Sequence, residues 1–319
     1  MLNLRSCSQL LQELAERDEK RKDTRLPIRL LTGDDRDVYN ISAPFEWQGK
    51  QLLLGRVEER CSENSYVVFF QKEDGVWLPD TSYPSLHLQD PFRTVIENTL
   101  IVGGVETFDD PETPGILSFR TIFCRMEGTN LVRIAKGPDQ MKDIRLLELA
   151  PKKILVFTRP RGNQGGRGTI GWKIISSLEE LTPENLSQAT LLDDQFIPEE
   201  WGGANEMQVL KNGLVGVLSH IARFDESGNR HYYSSCFCFN PVTGAHSPMK
   251  LLAVRHNFQD GASKRPDLED VVFSGGLVRN ANGTITIYCG VGDAEAHCIV
   301  VKDPFLKWEN LTAQEFNSL

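Results

Sequence analysis

One strand–turn–strand unit recurs five times along this chain of 319 residues, and this repeat limits the possible folds more than any other feature. Each unit has a polar residue at or beside the head of its first strand, then a turn and a second, apolar strand. The units are Ile41–Arg56, Asp90–Gly104, Asp143–Arg159, Asn205–His220 and Ser274–Gly290. A further strand follows each of them, over 65–70, 116–124, 168–175, 232–239 and 296–301. A period of about 50 to 70 residues is typical of propeller blades with insertions.

The sequence therefore predicts an all-β fold, a five-bladed β-propeller with a short N-terminal helix. We expect one domain over 1–319, with the helix at about 6–20 and blades at about 37–80, 88–137, 142–182, 203–250 and 270–305. Leu10, Leu11 and Leu14 form the apolar face of the helix. Asn212-Gly213 and Asn282-Gly283 predict type I′ hairpin turns. A β-sandwich is the alternative, but it does not explain a polar residue at the same strand head in every unit.

Composition excludes several classes of protein. A formal net charge of −9 argues against a general nucleic-acid binder, which needs a basic surface. No apolar run is long enough to span a membrane, and the N-terminal segment is too charged for a secretory signal. The seven cysteines lie mostly in apolar runs, which favours a reducing compartment, so we expect a cytoplasmic protein. Cys236-x-Cys238 has no second pair at zinc-finger spacing, and we expect no metal site.

The polar strand heads would line the central channel of a propeller. They are Asn40, Arg56, Asp90, Asp143, Arg159, Asn205, His220 and Asp293. Asp90 is the candidate general acid, because the flanking Leu88 and Phe92 would desolvate its carboxyl group and raise its pKa. The alternative is that Asp90 only caps a turn before its strand.

A cationic cluster lies in the third unit of an otherwise acidic chain. Its members are Lys142, Arg145, Arg159, Arg161 and Arg167, with His220 and Tyr232-Tyr233 in the next unit. Guanidinium and ammonium groups bind phosphate oxygens. The four glycines of the loop 159–168 would let backbone amides approach an anion. A solvated basic loop is the alternative. Trp201 is either a sugar-stacking platform or a core residue.

Six motifs in this order resemble a family of β-1,2-mannosyltransferase/phosphorylases, which is related to the bacterial mannoside phosphorylases, themselves five-bladed propellers. The resemblance covers roughly Asp37 to Pro304, and the motifs are Gly55-Arg56-Val57-Glu58, Gln89-Asp90-Pro91-Phe92, Thr158-Arg159-Pro160, Trp201-Gly202-Gly203-Ala204-Asn205-Glu206, Ser219-His220-Ile221-Ala222 and Gly290-Val291-Gly292-Asp293-Ala294.

The resemblance implies a role for each matched position. Asp90 corresponds to the single catalytic acid, which protonates the glycosidic oxygen, sometimes through a sugar hydroxyl. The phosphate-binding positions are Lys142, Arg159, Arg161, Arg167, His220 and Tyr233. The mannose-binding positions are Asn40, Arg56, Asn205 and Asp293. This chain has Lys142-Asp143 where the bacterial relatives carry Lys-Asn, and Gly202-Gly203-Ala204 where they carry Gly-Ala-Gly, which favours the mannosyltransferase/phosphorylase branch.

A lone carboxylate facing a cluster of cations is what phosphorolysis requires. An inverting hydrolase needs a second carboxylate to activate water, whereas phosphate is already a nucleophile. We therefore expect an inverting β-1,2-mannoside phosphorylase that reversibly converts mannooligosaccharide and inorganic phosphate to mannose 1-phosphate, with GDP-mannose as a further donor to test and no cofactor. The alternatives are a hydrolase that pairs Asp90 with Asp293 or Glu206, and a non-catalytic propeller that binds carbohydrate or protein.

Overall fold

The computed structural model describes residues 4–17, 20–31, 33–110, 113, 115–192 and 194–317. Within these residues the chain is mostly β-strand, with a few short helices. No helix in these ranges is long and apolar enough to cross a membrane. The all-β prediction is therefore confirmed.

The strands follow one another closely along the chain. They are β1 (Lys22–Arg25), β2 (Asp37–Tyr39), β3 (Phe45–Trp47), β4 (Lys50–Glu58), β5 (Ser65–Glu73), β6 (Val76–Pro79), β7 (Gln89–Ile96), β8 (Thr99–Asp109), β9 (Leu117–Glu127), β10 (Asn130–Lys136), β11 (Arg145–Ala150), β12 (Lys153–Thr158), β13 (Gly171–Ile175), β14 (Thr190–Leu191), β15 (Trp201–Val209), β16 (Val215–Phe224), β17 (Arg230–Phe239), β18 (Lys250–Ala253), β19 (Asp270–Arg279), β20 (Thr284–Val291) and β21 (Glu295–Lys302). The α-helices are α1 (Cys7–Ala15), α2 (Pro183–Leu186), α3 (Leu306–Glu309) and α4 (Ala313–Asn317), and short 3₁₀ turns cover Leu178–Glu180, Arg255–Asn257 and Pro266–Leu268.

These strands form five antiparallel groups in chain order. The groups are β2 to β6, β7 to β10, β11 to β14, β15 to β18, and β19 to β21. Strand β1 adds to the edge of the fifth group by pairing with β21. A short parallel pairing between β17 and β19 joins the fourth and fifth groups into one sheet.

Each group packs against the next, and the last returns to the first. Strand β4 contacts β7, β7 contacts β11, β11 contacts β15, β15 contacts β19, and β2 contacts β20 and β21. Apolar clusters fill the space between neighbouring groups. Between the first and second groups, for example, Leu54 and Phe69 share a buried cluster with Leu100 and Ile122. Burial of these side chains supplies the main free energy that holds the groups together.

The N-terminal helix is shorter than the sequence predicts. Helix α1 begins with a capping box between Ser6 and Gln9, and it ends at Ala15 rather than near residue 20. Part of the predicted helix, residues 18 and 19, lies outside the described residues. Leu10 and Leu14 are buried as expected and pack against the fourth group, whereas Leu11 is only partly buried.

Most strands were predicted from the sequence, but some strand boundaries and two short edge strands were not. The five further strands predicted after the repeats correspond to β5, β9, β13, β17 and β21, but β9 begins one residue later and β13 three residues later than expected. Strand β14 lies beyond residue 182, where the third blade was expected to end. Strand β1 was not predicted, because four mostly exposed polar residues carry no apolar alternation.

The turn type predicted at the two Asn-Gly pairs is wrong. In each pair only the glycine, Gly213 or Gly283, has a positive φ, and the asparagine before it does not. Leu210 and Leu214 close a three-residue loop in which the glycine supplies the left-handed position. Two-residue turns with positive φ at both positions occur instead at 48–49, 74–75 and 97–98.

Candidate active site

Two adjoining cavities open where the five groups meet. The first, here called the acidic cavity, has a volume of about 270 Å³ and is lined by Asn40, Arg56, Glu63, Gln89, Asp90, Lys142, Asp143, His220, Arg230, Tyr232, Arg265, Leu268, Val271, Phe273 and Asp293. The second, here called the cationic cavity, has a volume of about 230 Å³ and is lined by Phe119, Lys142, Arg159, Arg161, Arg167, Trp201, Phe224, Arg230 and Tyr232. Lys142, Arg230 and Tyr232 line both cavities, so the two form one continuous site.

Left-handed backbone places four of the side chains in the acidic cavity. Asn40, Asp90, Asp143 and Asp293 have φ values of 46°, 46°, 59° and 50°. Asparagine and aspartate tolerate this conformation better than other side chains with a Cβ atom. At Asp90 the pairing of β7 with β8 shifts register, and Pro91 has no N–H to donate to the ladder. A bulge of this kind re-aims a side chain, here into the cavity.

Asp90 is buried and held by one of its two oxygens. Its Oδ1 accepts hydrogen bonds from Asn40 Nδ2 at 2.8 Å and from Arg56 Nη1 at 3.1 Å. Burial raises the pKa of Asp90, but the charges of Arg56 and Lys142 and the Asn40 hydrogen bond outweigh it, so the pKa lies below its ordinary value. The expectation that apolar neighbours raise this pKa is therefore wrong.

A buried ion-pair network fixes Arg56 beneath Asp90. The Nε atom of Arg56 donates to Glu58 Oε2 and to Ser65 Oγ, each at 2.9 Å. Glu58 also accepts from Lys264, whose side chain is buried. One edge of the guanidinium is thus tied to Glu58, which leaves Nη1 for Asp90. Fixed donors of this kind orient a carboxylate without reorganisation.

His220 is a neutral group in this site. The amide nitrogen of Asn205 donates to the Ser274 carbonyl, so its Oδ1 faces His220 Nδ1 at 2.7 Å and accepts from it. This tautomer leaves His220 Nε2 as an acceptor. Burial lowers the pKa of His220 to about 3, despite the nearby charge of Asp143. His220 lines the acidic cavity, not the cationic one, and Asn205 lies behind it and lines neither.

The cationic cavity collects positive charges that the protein itself does not neutralise. Among the described residues, Lys142, Arg161 and Arg167 make no hydrogen bond or ion pair. The guanidinium groups of Arg161 and Arg167 lie over Phe119 and Phe224, each 5.5 Å from the ring centre. Arg159 is buried and pairs with Asp143 at 3.2 Å and with the Gly202 carbonyl at 2.9 Å. No carboxylate is among the described residues that line this cavity.

The glycines of the loop 159–168 do not offer a cradle of amides. The amides of Gly162 and Gly166 pair with each other's carbonyls, and the Gly168 amide donates to Gly165. A Cβ at Gly168 would lie 2.9 Å from the Arg159 guanidinium. The loop thus folds tightly over Arg159, and the amides of Gly162, Gly166 and Gly168 are already used.

Tyr232, rather than Tyr233, reaches the site. Tyr233 lies in the core cluster with Phe237, and its hydroxyl donates to Asp270 Oδ2 at 3.1 Å. The hydroxyl of Tyr232 accepts from Trp201 Nε1 at 3.0 Å, which leaves its own proton to donate into the cavities. Successive side chains of a strand face opposite sides, so only one of the two tyrosines can reach the site.

The other predicted residues divide between the two cavities. Asn40, Arg56, Asp90 and Asp293 line the acidic cavity, and Arg159, Arg161 and Arg167 line the cationic cavity. Glu206, the second carboxylate considered for a hydrolase, lines neither, and its Oε2 accepts from the Leu277 amide. Asp293 remains available for that role, and burial raises its pKa. In the described ranges, no three His, Cys, Asp or Glu side chains are arranged to hold a metal ion.

Three charged residues that line the site were not predicted from the sequence. Glu63 and Arg265 come from loops at the mouth of the acidic cavity and pair with each other at 3.0 Å. Arg230 begins β17, lines both cavities and pairs with Asp267. The loop residues carry no periodic signal, and their closeness depends on how distant segments fold together.

The sequence is similar to a protein family and to a characterised phosphorylase. A family model described as a protein of unknown function (DUF1861) matches residues 15–307. The 4-O-β-D-mannosyl-D-glucose phosphorylase of Bacteroides fragilis is 24% identical over 281 residues, which cover 79% of this chain and 70% of that protein.

Two solved structures from Leishmania mexicana are similar over nearly the whole chain. MPT-4, a mannose phosphorylase in complex with a phosphate ion, has a TM-score of 0.83 and 31% sequence identity, covering 96% of this chain and 95% of its own. MPT-1, a GDP-Man-dependent mannosyltransferase, has a TM-score of 0.83 and 29% identity, covering 94% and 95%.

Proposed function

The chain belongs to the DUF1861 family, and from its two cavities and its relatives we propose that it is an inverting β-1,2-mannoside phosphorylase. Its relatives include a mannose phosphorylase and a GDP-Man-dependent mannosyltransferase, and the chain is an enzyme of this glycosyltransferase and phosphorylase class. The proposed reaction converts a β-1,2-mannooligosaccharide and phosphate to mannose 1-phosphate and a shortened oligosaccharide, and it is reversible.

One observation carries the proposal. A buried aspartate, Asp90, lies in a cavity that shares Lys142 with a second cavity lined by five cations and, among the described residues, no carboxylate. Phosphate brings its own nucleophilic oxygen, so the enzyme must only hold it in line and supply one proton. Lys142, Arg161 and Arg167, which make no ion pair among the described residues, provide the electrostatic part of that task.

The proposed step balances without a cofactor. A phosphate oxygen attacks the anomeric carbon of the terminal mannose from the cationic cavity, and the bond from that carbon to the glycosidic oxygen breaks. The electron pair of the broken bond goes to the glycosidic oxygen, which takes its proton from Asp90, directly or through a sugar hydroxyl. Inversion at the anomeric carbon gives the α-phosphate from a β-linkage. In the reverse direction the ionised Asp90 acts as the base.

Phosphate binding would raise the proton affinity of Asp90. The low pKa of Asp90 arises from Arg56 and Lys142. A phosphate dianion beside Lys142 would offset that positive charge, which raises the pKa of a nearby carboxyl group. Phosphate bound beside Lys142 would therefore favour the protonated form of Asp90 that the forward reaction needs.

Within this proposal Tyr232 takes the phosphate-binding role first expected for Tyr233. Its hydroxyl is oriented by Trp201 and its side chain lines both cavities. His220 Nε2, an acceptor, suits a sugar hydroxyl better than an anion. We assign His220 to the mannose subsite together with Asn40, Arg56 and Asp293.

Transfer from GDP-mannose is a second activity that one feature favours. Phe224 is partly exposed at the cationic cavity beneath Arg167 and Arg230. An aromatic ring with guanidinium groups can hold the base and the diphosphate of a nucleotide. The donor would present the same anomeric phosphate to the same catalytic group.

We further propose that the five antiparallel groups are the blades of a propeller in one domain, as the repeat predicts. The circular order of contacts from the first group to the fifth and back supports it. Strand β1 would then close the last blade. The cytoplasmic location stays a prediction from the sequence.

Phosphate dependence separates the proposal from a hydrolase that uses Asp90 with Asp293. Purified protein is incubated with β-1,2-mannobiose, with and without inorganic phosphate, and the products are separated. Release of mannose 1-phosphate that requires phosphate supports phosphorolysis. Free mannose released at the same rate without phosphate would replace the proposal with hydrolysis. GDP-mannose with β-1,2-mannobiose as acceptor tests the transferase activity in the same assay.

A further inference from the structure

Asp143 is a buried carboxylate that the proposed reaction does not use. Its side chain is 1% exposed, and its Oδ2 accepts from Arg159 Nη1 at 3.2 Å. His220 Nε2 lies 4.0 Å from the same oxygen, and Arg145 Nη2 lies 3.8 Å from Oδ1, beyond hydrogen-bond distance. Among the described residues, no group donates a hydrogen bond to Oδ1.

An ionised oxygen without a donor is costly in a buried position. The charges of Arg159 and Lys142 outweigh burial and lower the pKa of Asp143 to about 2, so the group is ionised at neutral pH. A buried acceptor that lacks its hydrogen bond is destabilising, and more so when it is charged. A ligand that brings a donor to Oδ1 would recover this free energy on binding.

The position of Asp143 indicates which substrate can donate a hydrogen bond to its Oδ1. Asp143 lines the acidic cavity with Asp90 and does not line the cationic cavity. A phosphate oxygen would be repelled by the carboxylate, whereas a sugar hydroxyl can donate to it. Asn40 Oδ1, in the same cavity, is a second buried acceptor without a donor. Two acceptors near Asp90 fit a ligand with several hydroxyl groups.

We propose that Asp143 is a specificity-determining residue that acts on both substrates: its Oδ1 accepts a hydrogen bond from a hydroxyl of the sugar bound beside Asp90, and its Oδ2 neutralises part of the charge that Arg159 offers to the anion. This inference rests on the proposed function, because it assumes that a sugar occupies the acidic cavity and an anion the cationic one. It goes beyond that function because it assigns to one side chain a favourable effect on sugar binding and an unfavourable effect on anion binding.

Opposite effects distinguish this role from a structural one. Replacing the carboxylate by an amide removes the charge-assisted acceptor, which weakens sugar binding. It also frees the charge of Arg159, which strengthens anion binding. Replacing a residue that only supports the fold would weaken the binding of both substrates together, or would lower only kcat and stability.

The test is the steady-state kinetics of Asp143→Asn with β-1,2-mannobiose and phosphate. We expect the KM for the mannoside to rise by about tenfold or more and the KM for phosphate to fall by several-fold. Asp139→Asn, which changes an exposed aspartate of the same loop, is the matched control and should leave both KM values unchanged. Asp143→Ser, which also removes the charge, is measured in parallel in case the amide variant folds poorly.

Deoxy-mannosides identify the donor. One deoxy substrate should lose about tenfold in kcat/KM with the wild-type protein and much less with Asp143→Asn, because the two changes remove the same hydrogen bond. The inference is overturned if the KM values for mannoside and phosphate change in the same direction, or if neither changes. It is also overturned if Asp143→Asn raises the KM for phosphate alone, because a phosphate hydroxyl would then be the donor. Failure of the proposed function would appear separately, as wild-type protein that releases no mannose 1-phosphate.

Discussion

Asn40 donates a hydrogen bond of 2.8 Å from its side-chain amide to Oδ1 of Asp90, and both residues have a φ of 46°. Each comes from a different strand group, so the contact joins two groups at the site. Arg56 donates to the same oxygen, and no hydrogen bond to the other oxygen, Oδ2, is made by the described residues. The carboxyl group is therefore fixed by one oxygen and presents the other to the cavity.

The first prediction concerns this carboxyl group. Asp90→Asn should lower phosphorolysis by roughly 10²–10⁴-fold, because the amide cannot supply the proton, while sugar binding is largely retained. Product formation is followed as mannose 1-phosphate, and binding by calorimetry. Asp74→Asn is the control, since Asp74 has the same φ of 46° on an exposed turn. Appreciable turnover by Asp90→Asn would remove Asp90 from the acid role.

The second prediction concerns the shared cation. Lys142→Ala should raise the KM for phosphate by about ten- to a hundredfold and change the mannoside KM much less, because Lys142 has no partner among the described residues to compensate for. Lys136→Ala, at an exposed position of β10, should change neither. Arg159 is less suited to this test, because its removal leaves the buried Asp143 without its closest cation. An unchanged phosphate KM in Lys142→Ala would exclude Lys142 from the anion site.

The third prediction uses the two adjacent tyrosines as a matched pair. Tyr232→Phe should raise the KM for phosphate several-fold, because the hydroxyl oriented by Trp201 is lost from the cavities. Tyr233→Phe should leave the kinetics unchanged and lower the free energy of unfolding by about 1 kcal/mol, through its lost bond to Asp270. Kinetics and urea unfolding are measured on both variants. A kinetic defect confined to Tyr233→Phe would reverse the assignment.

The fourth prediction concerns the pH dependence of stability. The pKa of His220 falls from 6.5 to about 3 on folding. Between these values the unfolded chain binds a proton at His220 that the folded chain does not, so the contribution of His220 to stability falls as the pH is lowered from 6.5 toward 3. The slope from this group approaches about 1.4 kcal/mol per pH unit. Asp143 loses its own contribution only below its ordinary pKa of 3.8.

His220→Asn isolates that contribution. The variant keeps a polar group opposite Asn205 and has no titrating ring, so its unfolding free energy should vary less between pH 6.5 and 4.5 than that of the wild-type protein. Urea unfolding at several pH values gives the comparison. Equal slopes for both proteins would mean that His220 is not held neutral.

Much of the site was predictable because polar residues mark the strand heads. Asn40, Asp90 and Asp293 interrupt apolar runs at places where asparagine and aspartate can adopt positive φ. The arginines near 160 stand out in an acidic chain. The choice between the two tyrosines was also present in the sequence, because Tyr233 shares a strand face with Phe237 and Phe239.

Other features depend on contacts that no local pattern reveals. The low pKa of Asp90 comes from Arg56, which belongs to another group and is itself oriented by Glu58. The amides of Gly162, Gly166 and Gly168 donate to carbonyls within the loop 159–168, and no local pattern in the sequence shows this. Composition likewise gives no sign that Arg230 and Arg265 meet carboxylates at the mouth of the site.

The pairing of β1 with β21 sets an order of events during synthesis. Lys22 emerges from the ribosome early, but its partner in the register is Val300. At about 5–20 residues per second, roughly 15 to 60 seconds pass before that partner exists. Until then β1 has no strand to pair with, so the fifth group cannot gain its edge strand while the chain is still being made.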